Sequence, residues 1–428
     1  MSDIETIFAP STGLPPAAIA IVRVSGSRAL AAAERLAGGL PAPREARVRR
    51  LRDPADGTLL DRALVLVFPG TATATGEDLV ELHLHGGRAV VAAVEAALAR
   101  LPGLRRAEPG EFTRRALING RIDLAEAEGL GDLLAAETEL QRRAALAMAE
   151  GSLSRRIAAW RADLLKLAAQ IEAALDFSDE ADVDPVLLDR IREEARAVRD
   201  DVAAALDLPA VDRLRDGIRV VLAGPPNSGK STLLNVLAQR EAAIVSPIAG
   251  TTRDRIEAPV SRAGVPYVLT DTAGLRDGAA DPIEAIGIDR AAQAMAGADL
   301  VLWLGDDPPP GEALWVHARA DLPGRDRLPA GPSLAVSAHD PASVELLWER
   351  IGAAAAVMIP APGDVALNYR QREHCRDAVG ALDGIDAEDE LIVADALRRA
   401  NVALARITGD VGVEAMLDAL FARFCIGK

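Results

Sequence analysis

Residues Ile218-Arg219-Val220-Val221-Leu222-Ala223-Gly224-Pro225-Pro226-Asn227-Ser228-Gly229-Lys230-Ser231-Thr232 decide the fold of the middle of this chain. An apolar run of strand length meets a glycine-bounded loop, and helix-forming residues follow from near Thr232. In that context Gly-x-x-x-x-Gly-Lys-Ser is a phosphate-binding loop. Its glycines let backbone N–H groups close around phosphate oxygens, and the helix N-terminus adds a favourable dipole. Lys230 brings a cation to the outer phosphates, and the Ser231 hydroxyl suits a magnesium ion.

Three further segments follow in the order a nucleotide-hydrolysing domain needs. Gly250-Thr251-Thr252-Arg253-Asp254 is placed to close over the γ-phosphate, with Thr252 as a second Mg2+ ligand. A strand at Val268–Thr270 delivers Asp271-Thr272-Ala273-Gly274, whose carboxylate can hold the hydrated metal. Ser337-Ala338 follows another short strand and can meet the base through its backbone. A guanine-reading loop usually carries Asn-Lys-x-Asp, and this chain offers Ala318-Arg319-Ala320-Asp321. Asp321 keeps the acceptor for the N1 and exocyclic amine of guanine. Arg319 stands where a lysine stem would stack on the base. Loss of the asparagine predicts weaker base binding. Leu275 follows Asp-x-x-Gly where many switch GTPases have a water-orienting glutamine, so another group must place the water.

Outward from this core, strands and helices alternate from Gly217 to about Ile351. Helical periodicity in long stretches without proline occupies Leu124 to about Leu206 and returns after Pro360-Ala361-Pro362. The first of these regions is broken by an acidic stretch at Asp176 to Pro185 that is expected to turn the chain between helices. Residues 1–118 alternate again, with strands at Ala18–Val24, Ala63–Phe68 and Leu79–His85 and a helix from Arg88 to Leu101. The expected fold class is α/β plus all-α. Its parts are an N-terminal α/β domain (1–118), a helical domain in two parts (119–216 and 357–428) and an inserted α/β nucleotide-binding domain (217–356).

The chain has 428 residues, half of them hydrophobic, and a formal net charge of -16. Such a charge opposes broad binding to a phosphate backbone, so RNA would need a basic local patch or a basic partner. Cys375 and Cys425 are the two cysteines, which excludes a disulfide framework and fits a reducing cytosol. The N-terminal residues resemble no secretory leader, and no apolar run reaches the roughly 18 residues of a membrane span. A cytoplasmic protein without membrane association is expected.

Longer strings carry a resemblance. Ala242-Ala-Ile-Val-Ser-Pro-Ile-Ala-Gly-Thr-Thr-Arg-Asp254 and Asp271-Thr-Ala-Gly-Leu-Arg276 closely resemble the tRNA modification GTPase family MnmE, also called TrmE. So do Thr75-Gly-Glu-Asp-Leu-Val-Glu-Leu-His-Leu-His-Gly-Gly87, Glu108-Pro-Gly-Glu-Phe-Thr-Arg-Arg115, Asn119-Gly-Arg-Ile-Asp-Leu124 and Phe424-Cys-Ile-Gly-Lys428. The resemblance implies a dimer built through folate-binding N-terminal domains. It also implies a K+ ion held by Asn227 and by the loop Ser246-Pro247-Ile248-Ala249-Gly250-Thr251, with Ser246, Ile248 and Thr251 giving oxygens. That ion would sit where an arginine finger otherwise acts. Glu284 matches the family's catalytic glutamate, which orients the attacking water when two G domains meet. Arg276 would move with nucleotide state.

Glu81, His83 and His85 share one strand face. The bare residues suit a pocket lining or a metal site. By resemblance, Glu81 accepts from a pterin edge, Arg23 is a second folate contact, and Arg121 and Lys428 serve the anionic tail of a 5-formyltetrahydrofolate. Arg121 stands where the family usually has lysine. A thiol near that site is a role open to Cys425. The implied activity is GTP hydrolysis whose G-domain closure drives modification of tRNA wobble uridine (U34) at carbon 5. The modifying group is of carboxymethylaminomethyl type, and the partner is a flavoprotein, MnmG, also called GidA. The residues alone leave two other classes open: a ribosome-assembly switch GTPase, which usually carries a basic RNA-binding module not visible here, and a folate-dependent transferase with a regulatory G domain.

Overall fold

The computed structural model describes residues 5–176, 185–239, 242–243, 257–272, 293–325, 328, 330–332, 334–361, 363–411, 420–421, 424 and 427. They fall into two compact units: Met1–Gly131 with Ala149–Ala159 and Leu404–Lys428, and Asp132–Met148 with Trp160–Ala403.

In the first unit, β1 (Thr6–Pro10), β2 (Ile19–Ser25), β3 (Arg47–Arg52), β4 (Leu59–Phe68), β5 (Leu79–His85) and β6 (Leu104–Arg106) form one sheet in the order β3-β4-β5-β2-β1-β6. The pairs are antiparallel except β1 with β6. Strand alternation sorts the two faces. Val22, Val24, Val65, Val67, Leu82 and Leu84 are buried in a core shared with α1 (Ala29–Ala37) and α2 (Arg88–Ala99). Arg23, Glu81 and His83 alternate with them and take the opposite face. A third helix, α3 (Glu111–Ile118), buries Phe112 against Ile7 and Ala9.

Five more helices follow: α4 (Leu124–Ala135), α5 (Glu139–Ala149), α6 (Ser152–Asp176), α7 (Pro185–Asp207) and the short α8 (Asp212–Asp216). The acidic stretch expected to turn the chain between helices starts at the end of α6 and ends at the start of α7.

The second unit holds a seven-stranded sheet of β7 (Ile218–Ala223), β8 (Ala242–Ala243), β9 (Glu257–Arg262), β10 (Val265–Asp271), β11 (Leu300–Trp303), β12 (Leu314–Ala318) and β13 (Leu334–Val336). Its order is β13-β12-β11-β7-β10-β9-β8. Strands β13, β12, β11, β7 and β10 run parallel, and β9 and β8 are added antiparallel. The chain moves from β7 to one neighbour, β10, and then to the other, β11. Such a reversal opens a crevice at the carboxyl ends of the strands, where ligands bind in α/β sheets. Helix α9 (Lys230–Gln239) begins there, two residues earlier than its sequence suggests. The last helices are α10 (Pro341–Ala356), α11 (Tyr369–Leu382) and α12 (Glu390–Thr408). Asp340 caps α10 with Pro341 behind it, and Asn368 with Gln371 forms a capping box on α11. Cys375 is buried in α11. Among the described residues, no helix is long and apolar enough to cross a membrane.

Candidate functional site

Strand β7 is buried almost throughout and ends at the phosphate loop. Asn227 takes φ 59° and Gly229 φ 98°, left-handed values that bend the loop back on itself. Lys230 is buried at the first position of α9, and its Nζ donates to the carbonyls of Gly224 at 3.1 Å and Pro225 at 2.8 Å. The ammonium is thus folded over its own loop, inside the ring where phosphate oxygens would lie. Ser228 Oγ is buried with no hydrogen-bond partner among the described residues, an unusual cost for a hydroxyl unless a ligand completes it.

Beside the loop, Ser231 Oγ donates to Asp271 Oδ2 at 2.5 Å. Register places Asp271 opposite Leu222, and Thr272 Oγ1 donates to the Leu222 carbonyl at 3.0 Å. These two anchors fix the end of β10 against β7. A hydroxyl and a carboxylate oxygen side by side form a hard donor pair, which fits Mg2+.

At the base end, Asp321 Oδ1 accepts from Ser337 Oγ at 2.7 Å. That hydrogen bond, with the backbone N–H of Asp321, holds the carboxyl below its ordinary value, so it stays an ionised acceptor. Arg319 takes φ 61° in the turn that carries Asp321. Its Nη1 donates to the Asn227 carbonyl at 2.8 Å, and a Cβ on Gly229 would meet its Cγ at 3.2 Å. The arginine therefore reaches across to the phosphate loop. Ala318 is buried and offers no polar side chain. Arg325 braces the turn where an asparagine is missing: Nε donates to the Ala318 carbonyl at 3.0 Å, and the guanidinium grips Asp306 at 2.7 and 3.0 Å.

These groups line one cleft of about 590 Å³ that contains Asn227, Gly229, Lys230, Ser231, Thr232, Asp321 and Ala338. Ser337 is buried behind Asp321, and its hydroxyl accepts from the His339 N–H at 3.1 Å. Sequence reasoning passed over His339, which also lines the cleft, and the Arg325–Asp306 brace. The histidine lay within two residues of Ser337, but Arg325 and Asp306 are joined only by the fold. Ser246, Pro247, Ile248, Ala249, Gly250, Thr251, Thr252, Ala273, Gly274, Arg276, Glu284, Cys425 and Lys428 lie outside the described residues.

On the open face of the first unit's sheet, Arg23 and Glu81 are register partners, and Arg23 Nε donates to Glu81 Oε1 at 3.0 Å. His83 Nε2 lies 3.2 Å from Glu81 Oε2. His85 departs from this group: its Nδ1 lies 2.7 Å from Asp61 Oδ1. The three residues of that strand face therefore do not converge, and among the described residues no group of three His, Cys, Asp or Glu could hold a metal. Arg121 Nε donates to the Thr73 carbonyl at 3.1 Å. The C-terminal tail reaches the same sheet, since Ser11 Oγ donates to the Gly427 carbonyl at 2.7 Å and Ser11 N–H donates to Ile21. Gly427 is obligatory there, because a Cβ would lie 1.8 Å from the Pro10 carbonyl. From Ser25, two residues beyond Arg23 on the same strand, runs a chain of polar contacts: Ser25 to Glu77, Glu77 to Arg115, Arg115 to Glu111 and Glu111 to Arg105.

The family described as "GTP-binding protein TrmE N-terminus" matches residues 6–121, and that described as "MnmE helical domain" matches residues 124–425. The "tRNA modification GTPase MnmE" of Erythrobacter litoralis is 55% identical over 426 residues, covering 99% of this chain and 100% of its own length. That of Novosphingobium aromaticivorans is 53% identical over 436 residues, with 99% and 100% covered. That of Rhizorhabdus wittichii is 55% identical over 429 residues, with 99% and 97% covered.

Proposed function

The chain belongs to the MnmE family, and from that premise we propose that it hydrolyses GTP in the modification of tRNA. One observation carries the reading: Lys230, Ser231 and Asp321 line a single cleft, with Asp271 hydrogen-bonded to Ser231 and Ser337 to Asp321 just behind it. A nucleotide laid along it would have its phosphates over the loop and its base edge against Asp321. The carboxylate accepts from two N–H groups of guanine, and adenine presents no such pair.

Mg2+ held through Ser231 and Thr252, with Asp271 behind, would neutralise charge between the outer phosphates. K+ held by Asn227, Ser246, Ile248 and Thr251 would supply the positive charge that an arginine finger otherwise gives. Within this reading Glu284 orients the water, and closure of paired G domains completes the site. Lys230 and the loop amides bind and orient the phosphates. Arg319 and Arg325 keep the base turn in place.

The sheet face around Arg23 and Glu81 suits the amide-plus-amine edge of a pterin, with Arg121 and Lys428 for the anionic tail of 5-formyltetrahydrofolate. A tetrahydrofolate-derived carbon would then enter a carboxymethylaminomethyl-type group at carbon 5 of U34. The redox step belongs to the flavoprotein MnmG in the cytoplasm, working with a homodimer of this chain.

The test is single-turnover hydrolysis of GTP in K+ and in Na+ at equal ionic strength. The rate in K+ should exceed that in Na+ on the order of 10²-fold, as for loss of a preorganised transition-state charge. Equal rates would remove the cation from the mechanism. Unchanged wobble uridines in tRNA from cells lacking the gene, read by nucleoside mass spectrometry, would remove the tRNA role.

A further inference from the structure

In the first unit, strand β3 is an edge of the sheet, and its sequence is Arg47-Val48-Arg49-Arg50-Leu51-Arg52. Leu51 is fully buried, so Arg50 beside it takes the opposite face; Arg52 follows a register shift between Leu51 and Arg52, and both arginines are exposed. Register sets Arg50 directly across from Arg62 of β4. Like charges directly opposite on neighbouring strands destabilise a sheet. Nothing among the described residues relieves this pair, because the carboxylates nearby are engaged elsewhere. Glu45 pairs with Arg47, Asp53 with Arg100, and Asp61 with His85. Arg52 donates to a neutral oxygen, the Gly57 carbonyl at 2.8 Å.

Charge on an edge strand also guards against pairing with another sheet. That explains Arg50 and Arg52 but not Arg62, which lies on the second strand of the ladder, where there is no edge to protect. In a protein with net charge -16, two arginines face to face with no neutralising partner among the described residues, and a third nearby, form a local basic patch.

We propose that Arg50, Arg52 and Arg62 form a docking ridge for the phosphate backbone of tRNA. Guanidinium groups bind phosphate oxygens in a bidentate manner, and a cluster of them spread over two neighbouring strands suits an extended polyanion better than a single small ligand. The ridge rests on the tRNA reading above and deepens it. It supplies the local basic patch that an acidic protein requires to approach RNA. Phosphate contacts position without reading bases, so the ridge orients tRNA and leaves its selection to other groups.

The test is filter binding of unmodified tRNA transcript to the full chain across a salt series, for wild type, Arg50→Gln/Arg62→Gln and Arg50→Lys/Arg62→Lys. Each phosphate contact removed lowers the salt slope by about 1. The glutamine variant should therefore bind roughly tenfold more weakly and lose about 2 from its slope. Its melting temperature should be unchanged or higher, since a repulsion is removed, and its tRNA-free GTP hydrolysis should equal wild type. The lysine variant should keep most of the slope. Wild-type affinity and slope in the glutamine variant would overturn the ridge. So would a variant that keeps tRNA but loses self-association, which would make this edge a protein interface. A wild-type chain that binds no tRNA even at low salt would defeat the tRNA reading itself, a different result from an unaffected variant.

Discussion

The cleft beside β7 and the charged face of β2 and β5 handle charge in opposite ways. In the cleft, the backbone does much of the work: positive φ values at Asn227 and Gly229 shape the loop, and Lys230 leans on carbonyl oxygens. On the sheet face, Glu81 already satisfies both Arg23 and His83. A ligand entering the cleft draws Lys230 from neutral carbonyls, and it finds the Ser228 hydroxyl without a hydrogen-bond partner among the described residues. A ligand reaching Glu81 must first loosen pairs the protein has made with itself, and that desolvation and rearrangement reduces affinity. Single substitutions should therefore cost far more in the cleft than on the sheet face.

The strongest test of that contrast is Lys230→Ala. It removes the cation nearest the phosphates while leaving the loop backbone in place. Single-turnover GTP hydrolysis should fall on the order of 10²- to 10³-fold, as when one preorganised transition-state donor is lost. The circular dichroism spectrum should be unchanged. A loss below tenfold would mean that the cleft is not poised as its geometry indicates.

Next in size is Asp321→Asn, which turns an acceptor into a side chain that also donates. Affinity for GDP should fall roughly 10²-fold, about 3 kcal/mol, for hydrogen bonds to a charged group. Xanthosine diphosphate, with an oxygen where guanine has its amine, should bind the variant better than the wild type. Isothermal titration with both nucleotides reads the exchange. If guanine affinity held, the base would lie away from Asp321.

In both regions the sequence showed the local elements and hid the partners that the fold brings together. The phosphate loop is contiguous, and the glycines that permit its backbone are the same letters that identify it, so Gly224 to Ser231 could be placed before any fold was known. The strand at Leu79–His85 was equally plain, because alternation alone sorts Leu82 and Leu84 from Glu81 and His83. His85 lay on the expected face but took Asp61 as its partner, and nothing local ties residues that far apart. The Arg325–Asp306 brace was hidden for the same reason. Strand β3 was missed because its arginines mask the single buried Leu51, and an edge strand needs only one apolar side chain to hold it. The contact of the Arg319 guanidinium with the Asn227 carbonyl joins residues far apart in the chain and was likewise not legible in the sequence.

The smallest effect sharpens the sheet side of the contrast. Burial pushes the Glu111 carboxyl up, but the Arg105 side chain, the Glu108 N–H and Arg115 together outweigh it, and the net shift is downward. For a carboxylate whose folded value lies below its unfolded one, the stabilisation is complete above the unfolded value of about 4.3. It is lost as pH falls from there through the folded value. Glu111→Gln should therefore lower the melting temperature near neutrality, with a gap from wild type that narrows steadily below about pH 4. Glu111 is buried, but its partner Arg105 is partly exposed and solvent screens the pair, so the neutral gap should be a few degrees, about 1 kcal/mol, well under the losses expected in the cleft. Differential scanning fluorimetry of both proteins from pH 3 to 7 measures the gap directly. A gap that stayed constant with pH would mean that Glu111 acts by packing, and the chain of contacts from Arg105 to Ser25 would not be an electrostatic one.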